Sequence, residues 1–138
     1  MPSEGGEAVQ VTKGSGHYAV ESCDGEMLYY IKPGKLGYNA GPIWKVPREV
    51  GEETMVLDRQ IEFGNWALRP AGIYFATYNG KRYSLEFFSF ESGKVAPFYQ
   101  KETPDALDWL AISPDGEWFV YSDEPPRESD LMLVENFR

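Results

Sequence analysis

The sequence predicts an all-β fold made of a repeated unit of about four short strands. Aromatic residues make up 15% of the chain and accompany 14 glycines and 10 prolines, a composition typical of short strands joined by tight turns. Three segments are also alike around a turn glycine: AVESCDGEMLYYI (19–31), ALRPAGIYFATY (67–78) and AISPDGEWFVYS (111–122). The turn glycines Gly25, Gly72 and Gly116 are 47 and 44 residues apart, a period that suits a four-stranded unit.

Each unit can be divided into strands a, b, c and d, with the glycine turn between a and b. Strand a is predicted at Tyr18–Ser22, Asn65–Arg69 and Trp109–Ser113, and strand b at Met27–Ile31, Ile73–Tyr78 and Trp118–Ser122. Strand c is predicted at Ile43–Val46, Leu85–Phe90 and Asp130–Val134, and strand d at Thr54–Leu57 and Val95–Tyr99. Glycine accepts a positive φ without a steric cost, which explains its recurrence in the turns.

The predicted units are incomplete at both ends. Ala8–Thr12 precedes the first strand a and is predicted to be a strand d without its own unit, whereas the third unit stops after strand c. A β-propeller uses such an offset to close its ring, because a strand from one end completes the blade at the other. The sequence thus predicts a single β-propeller domain over residues 1–138, with four-stranded antiparallel blades at 17–58, 63–100 and 107–138 and with 8–12 as the outer closing strand.

Three blades do not close a ring, since propellers have about 4 to 8. In one interpretation, two copies of the chain form a homodimeric, six-bladed ring in which each N-terminal strand completes the partner's last blade. In the other, the chain is the C-terminal half of a longer polypeptide. The strand offset and Met1 favour the homodimer, so the chain is expected to be half of a six-bladed ring.

Charge and composition exclude several classes of partner and site. The net charge of −9, from 22 acidic and 13 basic residues, disfavours binding to phosphate backbones, so no nucleic-acid partner is expected. The one cysteine, Cys23, excludes an internal disulfide, and the one histidine, His17, excludes a multi-histidine metal site. Because the Asp-x-Asp-x-Asp-Gly spacing of calcium loops is also absent, we expect neither a metal nor a cofactor.

The sequence also bears on the compartment. No apolar run approaches the roughly 18 residues that cross a bilayer, so no membrane insertion is expected. The acidic start MPSEGGEAVQ has no hydrophobic core and differs from a secretory signal. We expect a soluble chain, cytoplasmic or, as part of a longer protein, periplasmic.

Several short motifs resemble those of the TolB-like, WD-repeat-like β-propeller proteins of bacteria. They are SPDGEW (113–118), SDLMLVENF (129–137), IWKVP (43–47), GEET (51–54) and GNWA (64–67). The resemblance extends from Val9 to the C-terminus and implies a propeller that acts as a sensing or protein-binding module. In such proteins the propeller often follows a winged-helix DNA-binding domain or a kinase domain. The first unit departs from the pattern at Cys23, where the other two units carry proline, and the second unit has no aspartate in its turn.

The d–a and b–c loops of a propeller share one face, where ligands usually bind. Polar and aromatic residues predicted for that face are His17, Tyr38, Asn65, Arg82, Asp108, Trp109, Asp123 and Arg127. Exposed aromatic side chains beside charges suit recognition of proteins or peptides. The favoured function is therefore a non-enzymatic binding or scaffold propeller that recognises a protein, peptide or small ligand at this face.

The alternative function is a hydrolase or lyase with its active site at the channel mouth. It requires His17 as a general base, with aspartate or arginine side chains within hydrogen-bond distance. No nucleophile motif such as G-x-S-x-G is present. Cys23 lies in an a–b turn on the opposite face, and we interpret it as a replacement for proline there.

Overall fold

The computed structural model describes Gly5, residues 7–34, Gly37, and residues 39–49, 51–104, 109–123 and 130–133. These residues include eleven strands: β1 (His17–Glu21), β2 (Met27–Ile31), β3 (Ala40–Pro47), β4 (Thr54–Glu62), β5 (Trp66–Arg69), β6 (Gly72–Tyr78), β7 (Arg82–Ser89), β8 (Val95–Glu102), β9 (Leu110–Ile112), β10 (Phe119–Asp123) and β11 (Asp130–Leu133). Over the same ranges there is no helix, and hence none that could span a membrane.

The strands form three antiparallel sheets in chain order. The first sheet has the order β1-β2-β3-β4, the second β5-β6-β7-β8, and the third has three strands in the order β9-β10-β11. Within each sheet, every strand pairs with its neighbour along the chain, since hairpin connections bring consecutive strands together in opposite directions. The predicted all-β class, with antiparallel sheets, is confirmed.

The first hairpins of the first and third sheets contain the same turn. In the first, Ser22 Oγ donates to Asp24 Oδ1 at 2.5 Å and accepts the Met27 amide at 2.9 Å. In the third, Ser113 Oγ likewise donates to Asp115 Oδ1, and it accepts the Trp118 amide at 3.0 Å. Each aspartate also accepts the amide two residues later, so serine and aspartate replace the backbone partners that the turn lacks.

These turns lower the pKa of both aspartates. For Asp24 and Asp115 the largest cause is the hydrogen bond from the serine hydroxyl, followed by the bond from the backbone amide. The second sheet has a shorter turn, in which Arg69 is paired directly with Gly72. Proline and alanine fill the two positions between them, which accounts for the missing aspartate in this unit.

A buried cluster fills the space between the first and second sheets. Its large members from the first sheet are Tyr29, Ile31, Ile43, Leu57 and Ile61, and those from the second are Trp66, Leu68, Ile73 and Phe75. Burial of each such side chain stabilises the fold by about 1.5–3 kcal/mol. The first two sheets therefore share one hydrophobic core.

A second buried cluster joins the second and third sheets. It comprises Ala76, Tyr83, Leu85, Leu110, Ile112 and Phe119. Successive strand residues point to opposite faces, so Phe75 contributes to the first core while Ala76 contributes to the second. Strand β6 thus has a neighbouring sheet on each of its faces.

Most predicted strands differ from the structure at one or both ends, and two elements differ most. Strand d of the first unit, predicted to stop at Leu57, continues to Glu62 because Ile61 is buried in the first core and extends the pairing with β3. Ala8–Thr12, predicted to be a strand, forms none. A strand requires a hydrogen-bonded neighbour, and this segment has no such neighbour among the described residues of the single chain.

Candidate functional site

Three of the predicted site residues lie at the start of the first strand of their sheet or one residue before it. His17, Asn65 and Trp109 each lie two residues before the alanine that the three repeats share, and so they occupy equivalent positions. The connection after β4 contacts two of them, His17 through Phe63 and Trp109 through Gly64. The His17 ring stacks on Phe63, with ring centroids 5.0 Å apart, and the carbonyl of Gly64 accepts the Leu110 amide at 3.0 Å.

Gly64 determines how Trp109 is placed. Its φ is +83°, a value that L side chains rarely adopt, and a Cβ at this position would lie 2.6 Å from the Trp109 ring. The indole therefore packs against the bare backbone of the glycine. Even so, 61% of the Trp109 surface is exposed. The four residues His17, Phe63, Gly64 and Trp109 are named the aromatic rim below.

Asn65 lies beneath this rim rather than on it. It is 4% exposed, its amide donates to the Glu62 carbonyl at 3.1 Å, and its own carbonyl accepts the Ala76 amide at 2.9 Å. Its side-chain Nδ2 donates to Glu62 Oε2 at 3.4 Å. These bonds hold the connection between β4 and β5 against β6, and so they fix the rim from below.

Arg82 lies apart, at the start of β7. It lines a polar cleft of about 260 Å³ together with Thr77, Tyr78, Asn79, Ser84, Glu86, Pro97 and Gln100. Its Nη1 donates to Gln100 Oε1 at 3.4 Å, and the Asn79 side chain accepts its amide at 3.0 Å. Over the described residues, no hydrogen bond or ring contact joins Arg82 to the aromatic rim.

The remaining predicted site residues fall largely outside the described part of the chain. Tyr38, Asp108 and Arg127 lie outside it altogether. Asp123 is the last residue of β10, where its backbone pairs with that of Asp130, and its side chain is not among those described.

Neither His17 nor Cys23 has the surroundings that catalysis requires, as far as the described residues extend. The ring contact of His17 is with Phe63, and no described hydrogen bond joins its imidazole to an aspartate, glutamate or arginine. Cys23 is exposed in the turn after β1, at the position that Pro114 occupies in the third sheet. Within the described ranges, no three His, Cys, Asp or Glu side chains come together as metal ligands.

The sequence analysis missed a polar cluster centred on Glu53. The carboxylate accepts the Tyr30 hydroxyl at 2.6 Å, the Lys32 ammonium at 2.6 Å and the Lys13 backbone amide at 3.0 Å. These donors, the Lys32 ammonium first and the Tyr30 hydroxyl second, lower the pKa of Glu53 to about 2. Glu53 is therefore ionised throughout the physiological pH range.

The side chains around Glu53 are held by the first sheet. The Lys32 ammonium lies 4.3 Å from the centroid of the Trp44 ring, an arrangement typical of cation–π contact. Tyr30 is 1% exposed, and burial, followed by the bond to Glu53, raises the pKa of its hydroxyl. Tyr30 and Trp44 are directly paired across β2 and β3. Pairing the predicted strands was therefore the signal that could have indicated that Trp44 lies beside Tyr30 in this cluster.

Comparison with known proteins adds no assignment to this geometry. No protein-family model matches the chain, and no curated protein matches its sequence.

Proposed function

We propose that the chain forms three blades of a β-propeller and acts as a non-enzymatic binding or scaffold module. In this proposal a protein or peptide binds at the aromatic rim of His17, Phe63, Gly64 and Trp109. The observation that carries it is the Trp109 indole, which is fixed against Gly64 and yet 61% exposed.

The packing of the sheets supports the propeller. In that fold, antiparallel sheets of about four strands stack face to face in chain order around a channel. The three sheets follow chain order, and β6 has one core on each face, as the middle of three blades requires. The identical Ser22–Asp24 and Ser113–Asp115 turns further support repeated units.

The chemistry of the rim supports recognition of a protein or peptide. Tryptophan is enriched among the residues that dominate binding energies, because a large rigid ring loses little conformational entropy on binding. The ring of Trp109 is already positioned by Gly64, and His17 is already stacked on Phe63. A partner would therefore meet a largely preformed surface.

Two copies of the chain would give a ring of six blades, within the range that propellers use. The third sheet has β11 at one edge, and Met55 on the first sheet is 47% exposed. Both features suit contact with a further copy. The mass in solution tests this part of the proposal, since a dimer has twice the chain mass of 15.7 kDa.

Selection of peptides tests the rim directly. A random peptide library would be panned on the wild-type protein. The Kd of each selected peptide would then be measured for the wild-type protein and for two variants. Trp109→Ala should raise the Kd by about thirtyfold, the effect of losing a dominant interface residue. Phe90→Ala is the control, because Phe90 is 37% exposed and lies after β7, away from the rim. Peptides that bind both variants as well as wild type would refute the proposed site.

A further inference from the structure

The N-terminal segment, residues 7–16, is held against the first sheet although it forms no strand. The Lys13 amide donates to Glu53 Oε1 at 3.0 Å. Gly16 lies on the Tyr30 ring so closely that a Cβ would be 3.0 Å from Cδ2 of the ring, and 3.6 Å from Thr12. The segment is therefore fixed at its C-terminal end, over residues 12–16.

The face that it covers is the one turned away from the second sheet. Tyr29 and Ile31 belong to the core shared with the second sheet, and Tyr30 points to the opposite side because strand residues alternate. In a ring, this side of the first blade is where the preceding blade lies. The N-terminal segment thus lies on the side of the first sheet where a preceding blade would pack.

The Glu53 cluster (Lys13, Tyr30, Lys32, Trp44 and Glu53) provides the attachment. Hydrogen bonds to an ionised carboxylate are about twice as strong as neutral ones, and Glu53 accepts three. The side chains of Lys32 and Glu53 are 22% and 14% exposed, so their ion pair is largely sheltered from water. The attachment therefore depends on a charged group that stays ionised at neutral pH.

Beyond the attachment, no backbone hydrogen bond is made by residues 8–11 within the described part of the chain. Residues 8–10 are exposed, with Val9 at 67%, and this stretch has no strand neighbour among the described residues. Val9 and Val11 are β-branched, which suits extended structure. The third sheet has three described strands, with β11 (Asp130–Leu133) at its edge. Among the described residues, each copy thus offers one segment and one sheet edge without a strand neighbour.

We infer that Glu53 positions the N-terminal segment so that Ala8–Thr12 pairs with β11 of a second copy and becomes the fourth strand of its third sheet. This inference rests on the proposed six-bladed ring. The exchange is reciprocal, because each copy supplies one segment and one edge under two-fold symmetry. It also covers the outer edge of β11, because an open strand edge is a template for aggregation.

Two substitutions at Lys13 distinguish the role of its backbone amide from the role of its side chain. Lys13→Pro removes the N–H that Glu53 accepts, whereas Lys13→Ala retains it. Light-scattering mass over a concentration series should give a wild-type dimer, an unchanged Kd for Lys13→Ala, and a Kd at least about tenfold higher for Lys13→Pro. If the wild-type protein is a dimer and both variants dissociate with the same Kd, Glu53 does not position the segment, whereas the proposed ring is not contradicted. A wild-type monomer at every concentration overturns the ring and the inference together.

A cross-linking experiment keeps the inference testable if Lys13→Pro fails to fold. Val9→Cys and Met132→Cys are made separately in a Cys23→Ser background, mixed and oxidised. A disulfide-linked dimer should form in the mixture and in neither protein alone. No dimer in the mixture, while scattering shows that the two proteins associate, would mean that the copies meet through other surfaces.

Discussion

Trp109 packs against Gly64 across the boundary between the second and third sheets. The contact depends on the absence of a side chain at position 64, where a Cβ would lie 2.6 Å from the indole, and on a φ of +83°. The same glycine accepts the Leu110 amide through its carbonyl. Glycine at this position therefore serves both the sheet boundary and the placement of the exposed ring.

Replacing this glycine should be costly. Gly64→Ala should lower the free energy of unfolding by about 2–4 kcal/mol, through left-handed backbone strain and crowding of Trp109. Urea unfolding followed by circular dichroism measures this loss. Gly80→Ala is the matched control, because Gly80 has a φ of +88° and nothing within 4 Å, so it should show only the backbone cost of about 1–2 kcal/mol. Equal losses in the two variants would show that the indole moves aside freely.

Arg69 should couple the second and third sheets. Its Nε donates to the Ser113 carbonyl at 2.9 Å, and its Nη2 donates to the Ile112 carbonyl. Arg69→Met keeps the apolar stem but removes these donors, and should destabilise the protein by about 1.5–3 kcal/mol. Hydrogen exchange of the β9 and β10 amides should then be faster than in Arg59→Met, since the hydrogen bond described for the Arg59 side chain is to the carbonyl of Asp58 in its own strand. Unchanged exchange in both variants would contradict the coupling.

Acid should release the contribution of Glu53 to stability. Its pKa is about 2 in the folded protein against 4.5 ordinarily, because Lys32 and Tyr30 stabilise the charged form. Because the pKa of Glu53 is lower in the folded than in the unfolded protein, its carboxylate stabilises the folded state fully above pH 4.5. This contribution is lost as the pH falls toward 2. Glu53→Gln should therefore flatten the dependence of unfolding free energy on pH in this range, as measured by urea titrations at several pH values.

The exposed neighbour Glu52 provides a control for this titration, since no described hydrogen bond involves its side chain. Glu52→Gln should retain the wild-type slope. Asp24 and Asp115 also have lowered pKa values, so some slope should remain in Glu53→Gln. A Glu53→Gln profile parallel to that of wild type would show that the three donors do not favour the ionised carboxylate.

The equivalence of the Ser22 and Ser113 turns predicts a stabilising substitution. Cys23 is exposed, corresponds to Pro114, and donates no described backbone hydrogen bond. Cys23→Pro should raise the free energy of unfolding by about 0.4–1 kcal/mol, because proline reduces the freedom of the unfolded chain. Thermal unfolding would compare it with Cys23→Ala, which changes the side chain alone. A proline variant less stable than the alanine variant would show that the two turns differ at this position.

Local sequence patterns were enough to predict most of the strands. Strand b of the first unit, Met27–Ile31, agrees with β2 at both ends because a turn glycine precedes it and all five of its residues are at least half buried. Strand β4 was predicted too short because Asp58 and Arg59 interrupt its apolar pattern. Only the register with β3 shows that Leu57 and Ile61 face the same core.

The candidate sites were harder to predict, because they join residues that are distant in the sequence. His17 and Trp109 were selected from their loops, but the stacking on Phe63 and the support from Gly64 depend on how the sheets are packed. The bond between Lys13 and Glu53 spans 40 residues and uses a backbone amide, which has no sequence signature. The sequence pattern therefore predicted which loops contain candidate site residues. It could not predict which atoms of those loops form contacts or hydrogen bonds in the folded chain.

The position of β6 between two cores has a consequence for folding. Phe75 and Ala76 are adjacent in the chain, yet they belong to different buried clusters, and both clusters include second-sheet residues. The first and third sheets are thus coupled through the second sheet, in the manner of a linear array with nearest-neighbour coupling. We therefore expect the second sheet to govern cooperative melting, and a defect in its packing to leave two independently melting ends.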